Sequence, residues 1–323
     1  GHYPMAMAVV SGSNSKALAQ ELAQHLNWEY HPMEARRFPD SEGYIRIPED
    51  SIEAVRGEFV VLVSSTFPDS GIIETLLLLE AIADVRSGNT NSLQHSHKKE
   101  YPPIQGGIIL AIPYFGYSRQ DKRFKLGEVV SAKSIGRMLS QKCDGIVVLD
   151  LHAPEALADM EIPISYASAM PEIADHLKSQ VNPDFILSPD KGAVERASEV
   201  ARYMNCEFSY LEKTRLDAHT IVHQAKDLDV QGKVVTIVDD MIATGGTICR
   251  ATEALKQQGA IEVHAACTHG LFTGGAINRL KLFVDGIHAT SSLPNPRAVV
   301  NGGPALARGV TELLDIFSNQ THP

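Results

Sequence analysis

The sequence predicts an α/β protein with two tandem halves, each built on a mainly parallel sheet flanked by helices. Short β-branched runs alternate with amphipathic stretches of helical length along most of the chain, as in βαβ units. The strand-like runs are apolar at successive positions, as expected for strands covered on both faces. The length of 323 residues is comfortable for two domains of ordinary size.

In the first half, strands are predicted over residues 7–10, 59–64, 107–112 and 145–150. The stretches between them predict helices over 16–26, 71–86 and 131–141. Residues 87–107 are polar and contain glycines and a proline pair, which indicates an exposed loop. His95 and His97 lie in this loop with no third ligand nearby in sequence, so exposure to solvent is favoured over metal binding.

In the second half, strands are predicted over 185–187, 234–238 and 261–267, and helices over 192–204 and 247–259. The two halves join near residues 162–171. We therefore expect one domain over 5–165 and another over 166–323, with the last helix able to pack back on the first domain.

Composition excludes several classes of function. The net charge of −10 disfavours nucleic acid and anionic membranes as partners, because phosphate contacts need a basic face. No apolar run reaches the length of about 18 residues that predicts a membrane span. The first residues lack the basic-then-apolar order of a signal peptide, and the four cysteines show no paired spacing. We expect a cytoplasmic protein without zinc or a disulfide framework.

The run from Val234 to Thr252 places acids and a glycine-threonine turn between a predicted strand and a predicted helix. Asp239 and Asp240 fall at the carboxyl end of the strand, where open α/β sheets bind ligands. The turn 244–247 offers backbone N–H groups and hydroxyls ahead of a helix N-terminus, which attracts an anion such as phosphate. The acids suit vicinal hydroxyls or magnesium, so the run predicts a pentose 5-phosphate site. A helix cap followed by an ordinary loop is the alternative.

A second charged segment follows the strand 107–112. Arg119, Lys122, Arg123 and Lys125 stand within seven positions, an unusual density in an acidic protein. A solvated cationic loop is the common explanation for such a run. The alternative is contact with the polyphosphate and base of a nucleotide.

Five ordered motifs carry a family resemblance: PYFGYSRQDKR from Pro113, DLHAP from Asp150, SPD from Ser188, Lys213-x-Arg215, and VDDMIATGGT from Val238. In this order they resemble the ribose-phosphate diphosphokinase family, whose domains have the type I phosphoribosyltransferase fold. FPDSE from Phe38 and GIIETLLLLEA from Gly71 also resemble that family's pattern. The resemblance runs from about Val9 to Gly303, interrupted by residues 87–107.

The resemblance implies transfer of the diphosphoryl group of MgATP to the 1-hydroxyl of ribose 5-phosphate, with release of AMP. Lys213 and Arg215 match the family's catalytic pair, which would stabilise charge on the migrating group. The other implied site residues fall into three groups. They are, for ATP, Phe38, Asp40, Glu42, Arg119, Gln120, Asp121 and His152; for ribose 5-phosphate, Asp239, Asp240, Thr244, Gly245, Gly246 and Thr247; and for magnesium, His152, Asp190, Asp239 and Asp240.

The resemblance also implies an oligomer. In the family, Phe38, Asp40 and Glu42 reach the ATP site across a subunit interface, so a lone chain would have an incomplete site. A dimer-based assembly, tetramer or hexamer, is expected. Ala243 stands where the commonest family loop has Asp, and this small residue resembles the archaeal-type branch. The segment after DLHA differs from the branch regulated by phosphate and ADP, so the resemblance gives no ground to expect that regulation.

Two other functions compete with this interpretation. A phosphoribosyltransferase that consumes phosphoribosyl diphosphate explains the acid pair and the TGGT turn, but it leaves the first half and Lys213-x-Arg215 without a role. A non-catalytic regulatory subunit explains the resemblance, but it has no physical need for His152, Asp190, Lys213 and Arg215. A Walker-type ATPase is excluded because the chain contains no GxxxxGK[ST] motif.

Overall fold

The computed structural model describes residues 7–93, 100–215, 221–225 and 229–321, with the backbone alone for 213–215, 221–225 and 321. His95 and His97 therefore lie outside the described residues. The chain divides into two compact units. The first comprises the described residues of Gly1–Ala167 and Gly303–Pro323, and the second comprises those of Ser168–Gly302.

The first unit contains a parallel sheet and a hairpin. Its strands are β1 (Met7–Ser11), β2 (Glu29–Pro32), β3 (Glu34–Arg37), β4 (Gly43–Arg46), β5 (Phe59–Val63), β6 (Gly107–Ile112), β7 (Gly145–Leu149) and β8 (Ile164–Ala167). The sheet has the order β2-β1-β5-β6-β7-β8, and all its neighbours pair in parallel. β3 and β4 form a separate antiparallel pair. β6 and β7 are buried throughout, which explains why their sequences are apolar without alternation.

Helices cover this sheet. They are α1 (Lys16–Leu26), α2 (Ile52–Val55), α3 (Asp69–Ser87), α4 (Ser131–Ser140) and, from the far end of the chain, α9 (Gly303–Thr321). α9 packs against α1, β7 and β8. Its Phe317 stacks on Phe59 of β5 with the ring centroids 5.3 Å apart. The first unit is thus completed by residues that follow the second unit in sequence.

The second unit is built in the same way. Its strands are β9 (Phe185–Ser188), β10 (Glu207–Arg215), β11 (Ile221–Ala225), β12 (Val234–Ile242), β13 (Glu262–Gly270), β14 (Gly286–Thr290) and β15 (Ala298–Val300), in the sheet order β11-β10-β9-β12-β13-β14-β15. All neighbours pair in parallel except β10 and β11. Its helices are α5 (Met170–Gln180), α6 (Val194–Met204), α7 (Gly246–Gln257) and α8 (Ala276–Leu280).

The predicted α/β class with mainly parallel sheets is confirmed, and the ends of two strands need the largest corrections. β13 was expected to end at residue 267 but continues to Gly270. β12 was expected to end at residue 238, but it continues to Ile242, so Asp239 and Asp240 lie within the strand. The strand is longer because β13 also continues and pairs with it as far as Gly270.

A chain of hydrogen-bonded imidazoles links three elements of the second unit. His288 of β14 lies between His176 of α5, at 2.8 Å, and His264 of β13, at 3.0 Å. His264 in turn contacts a carboxylate oxygen of Glu262 at 2.5 Å. Burial, followed by the neighbouring histidines and Arg297, lowers the pKa of His288 to about 4. This group therefore resists protonation in the folded protein.

No helix in the described parts of the chain is both long enough and apolar enough to cross a membrane. The cysteines are free thiols, and Cys143, Cys249 and Cys267 are buried.

Candidate active site

The acid pair of the second unit lies at the carboxyl edge of its sheet. β12 pairs with β9 only as far as Ile237, whereas it pairs with β13 as far as Ile242. Asp239 and Asp240 therefore stand beyond the ladder with the neighbouring strand β9, at the carboxyl edge of the sheet. Ligands of open α/β sheets bind at such positions.

The environment of Asp239 disfavours the negative charge of its own ionised carboxylate. Burial raises its pKa well above the ordinary value, and Asp240 raises it further, through a side-chain hydrogen bond and through its charge. Asp190 adds to the same repulsion, which places a third carboxylate near this edge. One oxygen of Asp190 also accepts hydrogen bonds from the backbone N–H groups of Gly192 and Ala193, at 2.8 and 3.1 Å. Asp190 thus caps the helical turn after β9.

The carboxylate oxygens of Asp190, Asp239 and Asp240 are donors of the kind that magnesium binds. Mg²⁺ prefers hard oxygen ligands, and it keeps several waters and substrate oxygens rather than a full protein cage. Within the described residues, no three His, Cys, Asp or Glu side chains are grouped so that they could hold a metal. This finding agrees with a magnesium ion that is bound by one or two carboxylates and by oxygens of a substrate. A divalent cation would also relieve the repulsion around Asp239.

The turn after β12 is suited to an anion. Gly245 adopts a left-handed conformation with φ of +79°, and α7 begins at the next residue. The first N–H groups of a helix have no partner within the helix, and the helix dipole favours negative charge there. The Arg250 guanidinium lies over Gly246, 3.4 Å from the position a β-carbon would occupy. Arg279 of α8 donates hydrogen bonds to the carbonyl oxygens of Thr244 and Gly274.

The positive field around this turn also acts on a nearby thiol. Burial raises the pKa of Cys249, and the charges of Arg279 and Arg250 oppose that rise. Neither arginine was assigned a role from the sequence. Arg250 follows the TGGT turn in the predicted helix, and Arg279 lies outside the motifs. The available signal was a second glycine-rich turn, GLFTGG from Gly270, which follows a predicted strand in the same way as the TGGT turn.

Lys213 and Arg215 lie on an extension of the second sheet. β10 pairs with β9 through Tyr210 and then continues as an antiparallel ribbon with β11. In this ribbon Lys213 pairs with His223, and Arg215 pairs with Ile221. The ribbon therefore projects beyond the carboxyl end of β9, which is the strand beside Asp239 and Asp240.

In the first unit, the predicted nucleotide residues follow two adjacent strands. Arg119, Gln120 and Asp121 lie in the loop after β6, and His152 lies after β7. Arg119 and His152 are exposed. The Gln120 backbone carbonyl accepts a hydrogen bond from the N–H of Ala132 at 3.1 Å, and its side chain accepts one from Ser131 at 3.0 Å. This loop is therefore tied to the start of α4.

Phe38, Asp40 and Glu42 lie at the tip of the β3–β4 hairpin. The N–H of Phe38 donates to the carbonyl of Glu42 at 2.8 Å, and Asp40 accepts from the N–H of Glu42 at 2.9 Å. The Arg36 guanidinium lies 4.3 Å from the ring centroid of Tyr44 and 5.3 Å from that of Phe38. The Phe38 side chain remains 40% exposed, so it is available to another molecule.

Backbone strain coincides with the predicted motifs. Residues other than glycine with positive φ include Ser41 in FPDSE, Tyr117 in PYFGYSRQDKR and Asp150 in DLHAP. Such conformations persist where the surrounding structure enforces them, and they cluster at functional sites. Phe272, in the GLFTGG turn, has φ of +46° and belongs with this set.

The predicted site residues therefore form separate groups in the two units. In the first, Arg119, Gln120, Asp121 and His152 share the carboxyl edge of adjacent strands, while Phe38, Asp40 and Glu42 lie apart on the hairpin. The second unit collects its predicted residues at one edge. They are Asp190, Asp239, Asp240, Thr244, Gly245, Gly246 and Thr247.

Comparisons with known proteins cover both halves. Residues 7–91 match the model for the N-terminal domain of ribose phosphate pyrophosphokinase, and residues 161–282 match that for the phosphoribosyl transferase domain. A ribose-phosphate pyrophosphokinase of Methanopyrus kandleri is 36% identical over 312 residues, which are 95% of this chain and 99% of the relative. One from Methanothermobacter thermautotrophicus is 36% identical over 304 residues, 93% of this chain and 98% of the relative.

The crystal structure of phosphoribosylpyrophosphate synthetase from Mycobacterium smegmatis superimposes with a TM-score of 0.76. It is 26% identical, and the match covers 97% of this chain and 99% of that one. Fold and edge site together define an α/β protein of the phosphoribosyltransferase type. The chain belongs to the ribose-phosphate pyrophosphokinase family, which is a family of enzymes. A phosphoribosyltransferase is not favoured because these relatives span both halves, and a non-catalytic subunit is not favoured because they are named as pyrophosphokinases.

Proposed function

We propose that this protein transfers the diphosphoryl group of ATP to the 1-hydroxyl of ribose 5-phosphate, giving 5-phosphoribosyl 1-diphosphate and AMP. The single observation that carries the assignment is the edge of the second unit, where a carboxylate pair adjoins an anion-binding helix N-terminus. A pentose 5-phosphate has vicinal hydroxyls at one end and a phosphate at the other, which matches both parts. Full-length relatives named for this activity support the proposal.

In the proposed reaction, the 1-hydroxyl oxygen attacks the β-phosphorus of ATP. An oxygen–phosphorus bond forms there while the bond from the β-phosphorus to the oxygen bridging it to the α-phosphorus breaks. AMP leaves with that oxygen, and the hydroxyl proton is released. Catalysis of such a transfer rests mostly on positioning and on stabilising charge. We assign Lys213 and Arg215 to the migrating diphosphoryl group, because the ribbon that carries them projects from the edge beside the acid pair.

The remaining residues bind and orient the substrates. Thr244, Gly245, Gly246 and Thr247 would hold the 5-phosphate, while Asp239 and Asp240 would hold the 2- and 3-hydroxyls. Phe38, Asp40, Glu42, Arg119, Gln120, Asp121 and His152 would bind ATP. Magnesium would neutralise phosphate charge on each substrate. His152 would hold it on the ATP side, and Asp190, Asp239 and Asp240 would hold a second ion on the ribose side. We place the activity in the cytoplasm, where phosphorylated metabolites are retained.

The test follows AMP and phosphoribosyl diphosphate formation from MgATP and ribose 5-phosphate. The wild type should give the two products in equal amounts. A Lys213→Ala/Arg215→Ala variant should lose at least about a thousandfold in kcat while its melting temperature is kept. A matched control, Lys178→Ala/Arg202→Ala, removes two exposed cations of the same unit and should keep wild-type activity. The proposal fails if folded wild-type protein yields neither product.

A further inference from the structure

The segment 270–279 lies against the end of β12 and the start of the predicted phosphate turn. The backbone N–H groups of Leu271 and Phe272 donate to the carbonyl of Ile242, at 3.0 and 3.2 Å. That of Thr273 donates to the carbonyl of Ala243 at 3.0 Å. The Arg279 guanidinium donates to the next carbonyl, Thr244. Three consecutive carbonyl groups, those of Ile242, Ala243 and Thr244, are thus held by this segment.

Because the peptide bond is planar, the direction of each carbonyl also fixes the direction of the N–H group that follows it. In a trans peptide the C=O and the following N–H point in opposite directions. When the carbonyls of Ile242, Ala243 and Thr244 face the segment 270–279, the N–H groups of Ala243, Thr244 and Gly245 face the other way. In the part of the chain that the structure describes, these N–H groups donate to no protein acceptor. They continue the row of open donors at the start of α7.

Arg279 holds the Thr244–Gly245 peptide, which leads into α7. It also donates to the carbonyl of Gly274 at 2.9 Å, so one guanidinium joins the two glycine-rich turns. The next residue, Leu280, packs beneath Gly245, with its Cγ 2.9 Å from the position of a β-carbon. The strained Phe272 lies in the segment that completes this support.

We propose that Arg279 is a positioning residue for ribose 5-phosphate, which fixes the Thr244–Gly245 peptide so that its N–H group faces the 5-phosphate. This inference rests on the proposed function. Arg279 acts through the turn and not on the reacting atoms. Its loss should therefore weaken binding of the sugar phosphate and leave the ATP side and the maximal rate almost unchanged.

The experiment compares Arg279→Ala, Arg279→Lys and a matched control, Arg202→Ala, in the full-length protein. Arg202 is another exposed arginine of the second unit, and its guanidinium lies 5.9 Å from the Tyr203 ring centroid. For Arg279→Ala the KM for ribose 5-phosphate should rise about tenfold, the size of one charge-assisted hydrogen bond. The KM for ATP and the kcat should stay within about twofold of wild type. Lysine can reach one carbonyl but cannot fork between two, so Arg279→Lys should recover part of the loss.

Calorimetric titration with ribose 5-phosphate in the absence of ATP gives an independent reading of the same affinity. An unchanged KM and Kd for ribose 5-phosphate in Arg279→Ala, with active wild type, would overturn the role of Arg279 alone. Equal losses for both substrates together with a lowered melting temperature would also overturn it, because they indicate a general structural role. A wild type that binds no ribose 5-phosphate and forms no AMP would refute the proposed function itself.

Discussion

The negative charge of Asp239 lowers the stability of the fold, although the same charge suits the binding of a ligand. Its pKa is raised because burial, Asp240 and Asp190 all disfavour its negative charge. The folded protein therefore holds a proton on this group at pH values where the unfolded chain has lost it. The contribution of such an acid to stability falls as pH rises from the unfolded pKa to the folded one. The residues that raise the pKa of Asp239 therefore lower the stability of the fold at neutral pH, although the same site suits a ligand.

Replacing this group should separate the two effects. Asp239→Asn should raise the free energy of unfolding by about 1 kcal/mol in the presence of EDTA at neutral pH, and it should abolish ribose 5-phosphate binding. Urea denaturation between pH 5 and 8 measures the first effect, and the gain should grow with pH. Asp175→Asn, at an exposed carboxylate of α5, is the control and should change neither property. Lower stability of Asp239→Asn at neutral pH would contradict this account.

His288 gives the second unit a sensitivity to acid. Its folded pKa of about 4 lies below the unfolded value, so the unfolded chain takes up a proton first as pH falls. The stability associated with this group is present above about pH 6.5 and is lost towards pH 4. We expect a loss of about 2 kcal/mol, allowing for partial exposure. His288→Gln should show a flatter dependence of unfolding free energy on pH. An equally steep dependence would mean that another group is responsible.

At the scale of elements, the sequence predicts long periodic segments well. The helix expected over 16–26 is observed as Lys16–Leu26, and the strand expected over 107–112 as Gly107–Ile112. Strand ends are less predictable. The extra length of β12 depends on the ladder with β13, which no local pattern encodes. Strand β2 was missed because its sequence EYHP lacks an apolar run, and β15 because its apolar run AVV is only three residues long.

The site residues that could be predicted are likewise those that a local sequence pattern indicates. The acids and the glycine-threonine turn are contiguous in sequence, so chemistry and spacing indicate them. Arg279 is separated from Thr244 by 35 positions, and only the fold brings the two together. The roles of Lys213 and Arg215 stay predictions, because they were inferred from family resemblance and their side chains are not described.

Gly245 allows a test of the turn as an element. Alanine there is strained by the positive φ and also meets Leu280, whereas Gly232 has a similar φ of +71° with open space around it. Gly232→Ala is therefore the matched control for backbone strain alone, with an expected cost of about 1 kcal/mol. Gly245→Ala should cost about 2 kcal/mol and should also raise the KM for ribose 5-phosphate about tenfold or more. Equal effects of the two variants on that KM would contradict the role of the turn.

At the scale of the whole molecule, the exposed hairpin tip allows a test of the proposed oligomer. If Asp40 and Glu42 serve the ATP site of another subunit, Asp40→Ala/Glu42→Ala and Lys213→Ala variants should each be nearly inactive. After subunit exchange in an equal mixture, half of the dimers are hybrids with one intact site in two, so about a quarter of wild-type activity should return. A mixture of Lys213→Ala with Arg215→Ala, which damage the same site, should regain none. No recovery in the first mixture would exclude a shared ATP site.

Because α9 packs on the first unit, the order of synthesis affects when each unit can finish folding. Residues 168–302 form one continuous unit, which can be complete once they leave the exit tunnel. The first unit emerges earlier but still lacks the helix that covers α1, β7 and β8. Its apolar surface at that place stays uncovered until residues 303–321 have also left the exit tunnel. The half made first is therefore the half finished last.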